Sequence, residues 1–583
     1  MLSNSLVAAA LATAYVLVLI LELNPSLPLD PRRLWPLAST VGLFYIVHLA
    51  ALYYVVLVIR QLLAREVFSP AWVSVGVLVW LGAGAAAAGA ALLWINLRTF
   101  GVVLEPATVT LMRSSAVVLG ASALLFLLLS VIRAQLLPRG RWLCGLLFLA
   151  VAAGSVVGPL VLRGRGVAPA LPARPSASAP APVAEAVGPG RVHVIAMDAG
   201  SLDFITSVTA EGRLPNFGRI LDAGAVMRLA TIHPTSAEAV WAAVATGKLP
   251  QKNGVRSAGV YRLVGGRGEP LLLLPTYCYA QALVRFGFLV QEPHTQAALR
   301  ARALWDILSG LGISAGVVDW PLTAPAPALL GYLVSDTFHE LAAAPSGLGG
   351  PPRLVPEAFL VDALGLMEQT LATPAPLAIA DGEGPLEPRF EQPTRIDRVY
   401  DRLARELDAR MPAQATIVRY QSLDTAGHYF LRFSSPGEFG NATTADERRR
   451  FGAVLERHYA LIDEAIGRAL ASLGPQDLLL VLSGFGMEPL SLGRRLLERV
   501  IGNPEVNGTH EGAPDGFLMA YGGMVAKGRL PTRASVVDVV PTVLYFLGLS
   551  IGRDMDGYAR TDLFAPAFTD ERPITFIPSY EQQ

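Results

Sequence analysis

The stretch QDLLLVLSGFGMEP, from Gln476 to Pro489, decides how the C-terminal part of this chain is read. Residues 478–482 are an unbroken aliphatic run, the pattern of a strand buried on both faces in a parallel sheet. In open α/β sheets ligands sit just beyond the carboxyl ends of the strands. Here that end reads Ser483-Gly484-Phe485-Gly486, which offers no strong metal ligand and no proton carrier. It is either a plain turn or a site stripped of its chemistry.

The sequence around it alternates strands and helices. Strands are predicted at 192–197, 226–231, 314–318, 415–420, 478–482 and 516–521, and helices at 214–223, 238–246, 303–311, 451–473 and 537–547. This alternation predicts an α/β fold with a doubly wound, mostly parallel sheet and helices on both faces.

Chemistry is then sought at the strand ends. Asp198 follows the first strand directly, where Asp also serves as a turn former or helix N-cap. Asp424 and His428 lie just beyond another strand, in RYQSLDTAGHYF. If helix begins there, their spacing places carboxylate and imidazole on one face, as ligands suited to zinc or manganese. The alternative is an N-cap Asp with an unrelated surface His. His510, in the Gly-rich NGTHEGAPDGFLMAYG, is a loop His by itself and a third ligand if it joins the other two.

The front of the chain is different. Hydrophobic residues make up 52% of the chain, and mean hydropathy is +0.44, which calls for a membrane part. Five apolar stretches, at 6–23, 38–59, 73–97, 115–132 and 142–162, approach the roughly 20 residues needed to cross a bilayer. The first lacks a basic n-region and is followed by four more, so it reads as an anchor rather than a signal peptide. His48 in the second is either a functional intramembrane group or a polar side chain satisfied locally.

Flanking arginines do not separate the two sides. An odd number of spans puts the termini on opposite sides, and a cytoplasmic N-terminus puts the globular part outside. The Ala-, Arg- and Gly-rich composition looks bacterial, and with a cytoplasmic N-terminus the expected location is a bacterial inner membrane with a periplasmic domain. The expected organisation is a transmembrane region at 1–165, a Pro/Ala-rich linker at 166–189, a globular domain at 190–565 and a tail at 566–583. Equal numbers of basic and acidic residues, 47 each, give no argument for a nucleic-acid partner. Two cysteines far apart suggest neither a disulfide framework nor a thiolate metal site.

Taken in order, the blocks VIAMDAGSLDF, EGRLPNFGRILDAGA, HPTSAEAVWAAVATGKLPQKNGV, LWDILSGLGISAGVVDWP, QSLDTAGHYF, LSGFGM, NGTHEGAPDGFLMAYG and VVDVVPTVLYFLGLSIGRDMDG resemble the alkaline-phosphatase superfamily. They are most similar to its type I phosphodiesterase/nucleotide pyrophosphatase group. The resemblance implies a two-metal site. One metal would be held by Asp424, His428 and His510, and the other by Asp198, a Thr or Ser nucleophile and an Asp-His pair. Two such metals clamp the attacking and leaving oxygens of a displacement at phosphorus.

The sequence departs from that pattern in two places. The Asp-His pair is replaced by Gly484-Phe485, and the nucleophile position falls on Ala237. Ser236 becomes the nucleophile only if the chain shifts by one residue, and otherwise reads as a helix N-cap. Candidate replacement ligands are His233, Glu238, Glu488, Glu511 and Asp515. His193, His294, His339 and His458 read as structural or solvated.

The resemblance therefore implies a membrane-anchored protein acting on phosphate esters outside the cytoplasm. Its partners would be the lipid bilayer and a phosphate-ester small molecule or envelope component. It would hold one divalent metal, zinc or manganese, with a second site in question. The alternative is a pseudoenzyme that binds a phosphorylated envelope ligand or a partner protein. The layout also resembles envelope phosphoethanolamine and phosphoglycerol transferases.

Overall fold

The computed structural model describes residues 1–64, 72–135, 141–164, 190–265, 269–343, 351–373, 386–439, 443–501, 503–530 and 532–581. The linker expected at 166–189 lies outside the described residues. The chain divides into two compact units, Met1–Leu171 with Arg256–Pro293, and Pro172–Val255 with His294–Gln583.

In the first unit the apolar stretches form five helices: α1 Leu2–Leu23, α2 Pro31–Ala64, α3 Val75–Phe100, α4 Pro106–Gln135 and α5 Arg141–Arg163. All five are long and apolar enough to cross a membrane. His48 sits on α2 with Nδ1 2.7 Å from the Phe44 carbonyl one turn earlier, a bond within its own helix. Residues 256–293 fold onto this unit. An antiparallel pair, Gly259–Leu263 with Leu289–Pro293, and the short helix Ala280–Arg285 share an apolar cluster with α1 and α2. Polar side chains fasten it. Asn24 Oδ1 accepts from the Leu272 and Leu273 amides at 2.7 and 3.0 Å. Asn96 Oδ1 accepts from the Thr276 amide at 2.8 Å, and the Tyr45 hydroxyl donates to the Cys278 carbonyl at 2.9 Å. Arg256 pairs with Glu105.

The second unit is built on one sheet. Val192–Met197 lies at its centre, parallel to Ala415–Tyr420 on one side and to Leu478–Phe485 on the other. Beyond Ala415–Tyr420 the sheet continues in parallel with Ala315–Trp320 and Gly331–Ser335. Beyond Leu478–Phe485 it turns antiparallel, with Asp515–Tyr521 and then Ala225–Ala230. The sheet is mixed and mostly parallel. One face packs the helices Leu202–Ala210, Pro215–Ala223 and Val454–Ser472 into a common core. The apolar helix Ala237–Thr246 packs against Leu478–Phe485, and Gly247 in the left-handed region, at φ +68°, ends it.

One difference from the sequence reading bears on the site. The strand expected to stop at residue 482 runs on through Ser483, Gly484 and Phe485, all buried. Pairing holds it in register, with Phe517 opposite Ser483 and Asp515 opposite Phe485. The Ser-Gly-Phe segment is therefore strand, not turn.

Candidate metal centre

Asp424 and His428 lie on the helix Ser422–Ser434, which begins two residues after the strand Ala415–Tyr420. Their spacing of four brings His428 Nε2 to 3.4 Å from Asp424 Oδ2. His510 arrives from the loop before Asp515–Tyr521, its Nε2 3.8 Å from Asp424 Oδ1. One ligand atom from each residue lies within 4.8 Å of the others, the spacing of a metal-binding group. His428 Nδ1 is bonded to the Gly508 carbonyl at 2.9 Å, which leaves Nε2 to face the site.

The electrostatics suit a cation. Burial pushes the Asp424 carboxyl up, but the two imidazoles and Arg419 outweigh it, and the net shift is downward. Among the described residues, Asp424 Oδ1 and His510 Nδ1 are buried without a hydrogen-bond partner. Buried polar atoms are nearly always paired, so the orphaned Asp424 Oδ1, which faces His510 Nε2, fits a divalent ion with oxygen and nitrogen ligands.

The other end of the site is arranged differently. Asp198 is 4% exposed. Its Oδ1 accepts from Trp241 Nε1 at 2.7 Å and its Oδ2 from Arg419 Nη1 at 2.8 Å. Burial pushes the carboxyl up to about 7, against the pull of Arg419. A Cβ added at Gly484 would stand 2.4 Å from Val240 Cγ1, so a side chain there requires Val240 to move. The fully buried Phe485 ring lies 6.4 Å from Trp241 and 5.1 Å from His510, between the two ends. These residues do not fit a second metal.

Ala237 is the first residue of its helix, and Ser236 stands at the N-cap position. The Ser236 hydroxyl donates to Glu238 at 2.9 Å rather than capping the helix. None of the five candidate replacement ligands joins the Asp424–His428–His510 group among the described residues. Glu511 pairs with Arg494 and Asp515 with Arg533. Glu488 packs against Gly512, and His233 Nδ1 lies 3.4 Å from Thr235 Oγ1. His458 is buried, bonded to Thr394 and the Val454 carbonyl.

Sequence reasoning missed Arg419. The signal was present, a guanidinium inside the six-residue strand ATIVRY. A charge in a central strand requires a buried carboxylate partner.

Residues 192–534 match the model of the type I phosphodiesterase/nucleotide pyrophosphatase family, well over half of the chain. No match is found among curated proteins. Among solved structures, murine ectonucleotide pyrophosphatase/phosphodiesterase 5 is similar at 11% identity and a TM-score of 0.37, covering 64% of this chain and 100% of its own. Wild-type alkaline phosphatase PafA is similar at 12% identity and a TM-score of 0.42, covering 66% of this chain and 100% of its own. The family match leads to one conclusion: the chain belongs to the type I phosphodiesterase/nucleotide pyrophosphatase family.

Proposed function

We propose that this chain is a membrane-anchored phosphate-ester-binding protein that holds one divalent metal, zinc or manganese, at Asp424, His428 and His510. The ligand is a phosphate ester met outside the cytoplasm, at a bacterial inner membrane with the globular domain on the periplasmic side. The covalent phosphoryl transfer of the family is not retained. The observation that carries this reading is the contrast between a clustered Asp424, His428 and His510, with Asp424 Oδ1 unpartnered among the described residues, and position 237, which has no hydroxyl.

When bound, the metal supplies a Lewis acid for a phosphate oxygen. The chain's own residues set the rest. Gly508 fixes the His428 ring, and the Phe485 ring excludes water from the side facing Asp198. A nucleophile must be placed within a fraction of an ångström for full rate, and the Ser236 hydroxyl is engaged with Glu238.

The test uses the full chain in detergent, loaded with zinc or manganese, beside His428→Ala. Orthophosphate binding followed by calorimetry should require the metal and be lost in the variant. Hydrolysis of bis-p-nitrophenyl phosphate should not exceed that of the variant. Turnover that disappears with His428 would overturn the binding-only reading in favour of a one-metal hydrolase.

A further inference from the structure

The Asp198 end of the site keeps a carboxylate whose metal partners are gone, and a side chain now stands in front of it. Arg419 is 6% exposed and reaches Asp198 from the adjacent strand, where it pairs with Ala196 in register. Two of its nitrogens donate hydrogen bonds, and the third lies beside the Asp319 carboxylate, whose oxygens have no hydrogen-bond partner among the described residues. Nη1 donates to Asp198 Oδ2 at 2.8 Å and Nε to the Asp319 carbonyl at 2.7 Å, while Nη2 lies 3.5 Å from Asp319 Oδ2. Asp319 is itself fully buried and held at φ +59°.

A buried carboxylate is expensive unless a cation or hydrogen-bond donors accompany it. At this position Arg419 supplies the charge and Trp241 Nε1 supplies the second donor, so both Asp198 oxygens are satisfied without an ion. The neighbouring changes agree with this. A side chain at position 484 would press on Val240, and the buried Phe485 ring stands beside it. The planar guanidinium suits a buried carboxylate better than an ammonium would.

We propose that Arg419 is a tethered cation that has taken the place of the second metal, making this a one-metal site closed to a second ion. The inference rests on reading Asp424, His428 and His510 as the site of the first metal.

Two measurements test it. Elemental analysis of the metal-loaded full chain should give one zinc or manganese per chain, and two per chain would overturn the proposal. Thermal melts of Asp198→Asn, Arg419→Gln and the pair form a double-mutant cycle on the metal-free chain. Arg419→Gln should lower the melting point by roughly 5–10 °C, and the pair should lose less than the sum of the singles. Arg419→Lys should recover part of the loss, since it keeps the charge without the fork. Additive singles, or no gain from lysine, would show that Arg419 is not the counter-ion of Asp198. A chain that binds no metal would overturn the reading of the ligand trio, and the cycle would then still decide the role of Arg419.

Discussion

At the Asp424 end of the site, Asp424 Oδ1 and His510 Nδ1 have no partner among the described residues, and Asp424, His428 and His510 are each 20–28% exposed. At the Asp198 end, both carboxylate oxygens are bonded, and Arg419, Trp241 and Phe485 are closed over them. The two ends lie on neighbouring strands of one sheet and share Phe485 as a wall. The first is arranged as a binding site, with its polar atoms left for something else. The second is arranged as core around Asp198, whose two oxygens are answered from within the chain, although Asp319 and Trp320 Nε1 beside it have no hydrogen-bond partner among the described residues. The Asp198 carboxylate is not left in a hole, because a buried carboxylate must be neutralised by something.

The largest expected effect tests whether the Asp198 end is core. Phe485→Ala removes a fully buried ring that touches Trp241 and His510. A core phenylalanine truncated to alanine costs about 3–5 kcal/mol, and denaturant unfolding should show a loss of that size. A cost near 1 kcal/mol would mean that the ring is loosely held and that the two ends are less different than drawn here.

The Asp424–His428 pairing was legible in the sequence because its signal is local, whereas His510 joined it only through the family resemblance. Asp424 and His428 share a helix face, and His510 stands in a Gly-rich loop before a strand. The strand order was legible from aliphatic runs. Arg419 was not, because its partner is 221 residues away and only the register of two strands brings them together. The end of the strand at Phe485 was misplaced for a related reason. Ser483-Gly484-Phe485 looks like a turn until Asp515–Tyr521 pairs with it. The docking of residues 256–293 onto the helical unit was equally hidden, since it depends on single asparagines, Asn24 and Asn96, within apolar helices.

Acid offers an intermediate effect and a necessary control. Protons should displace metal from the histidines of the Asp424 end, but the fold has its own acid sensitivity in His458. This ring is 1% exposed, and burial pushes its pKa down to about 4, with the Val454 carbonyl pulling the other way. The folded pKa lies below the unfolded one, so the contribution is intact above about pH 6.5 and is lost as pH falls toward 4. The full loss is roughly 3 kcal/mol. His458→Gln should flatten stability across that window by up to this amount. If it does not, acid effects in that range belong elsewhere, and metal release can be read without the correction.

The smallest effect is the sharpest test of the contrast. Asp424→Ala removes a carboxylate whose Oδ1 has no partner among the described residues. In the metal-free chain it gives up the favourable placement of an acid in the first turn of a helix and a part-exposed contact with His428. Its cost should stay within about 1 kcal/mol. Adding zinc or manganese should then raise the melting point of the unaltered chain, because an ion that binds only the folded state stabilises it by mass action. The variant should show no such rise. If Asp424→Ala destabilised the metal-free chain as much as Phe485→Ala, the trio would be holding the fold together, and its open atoms would not be waiting for an ion.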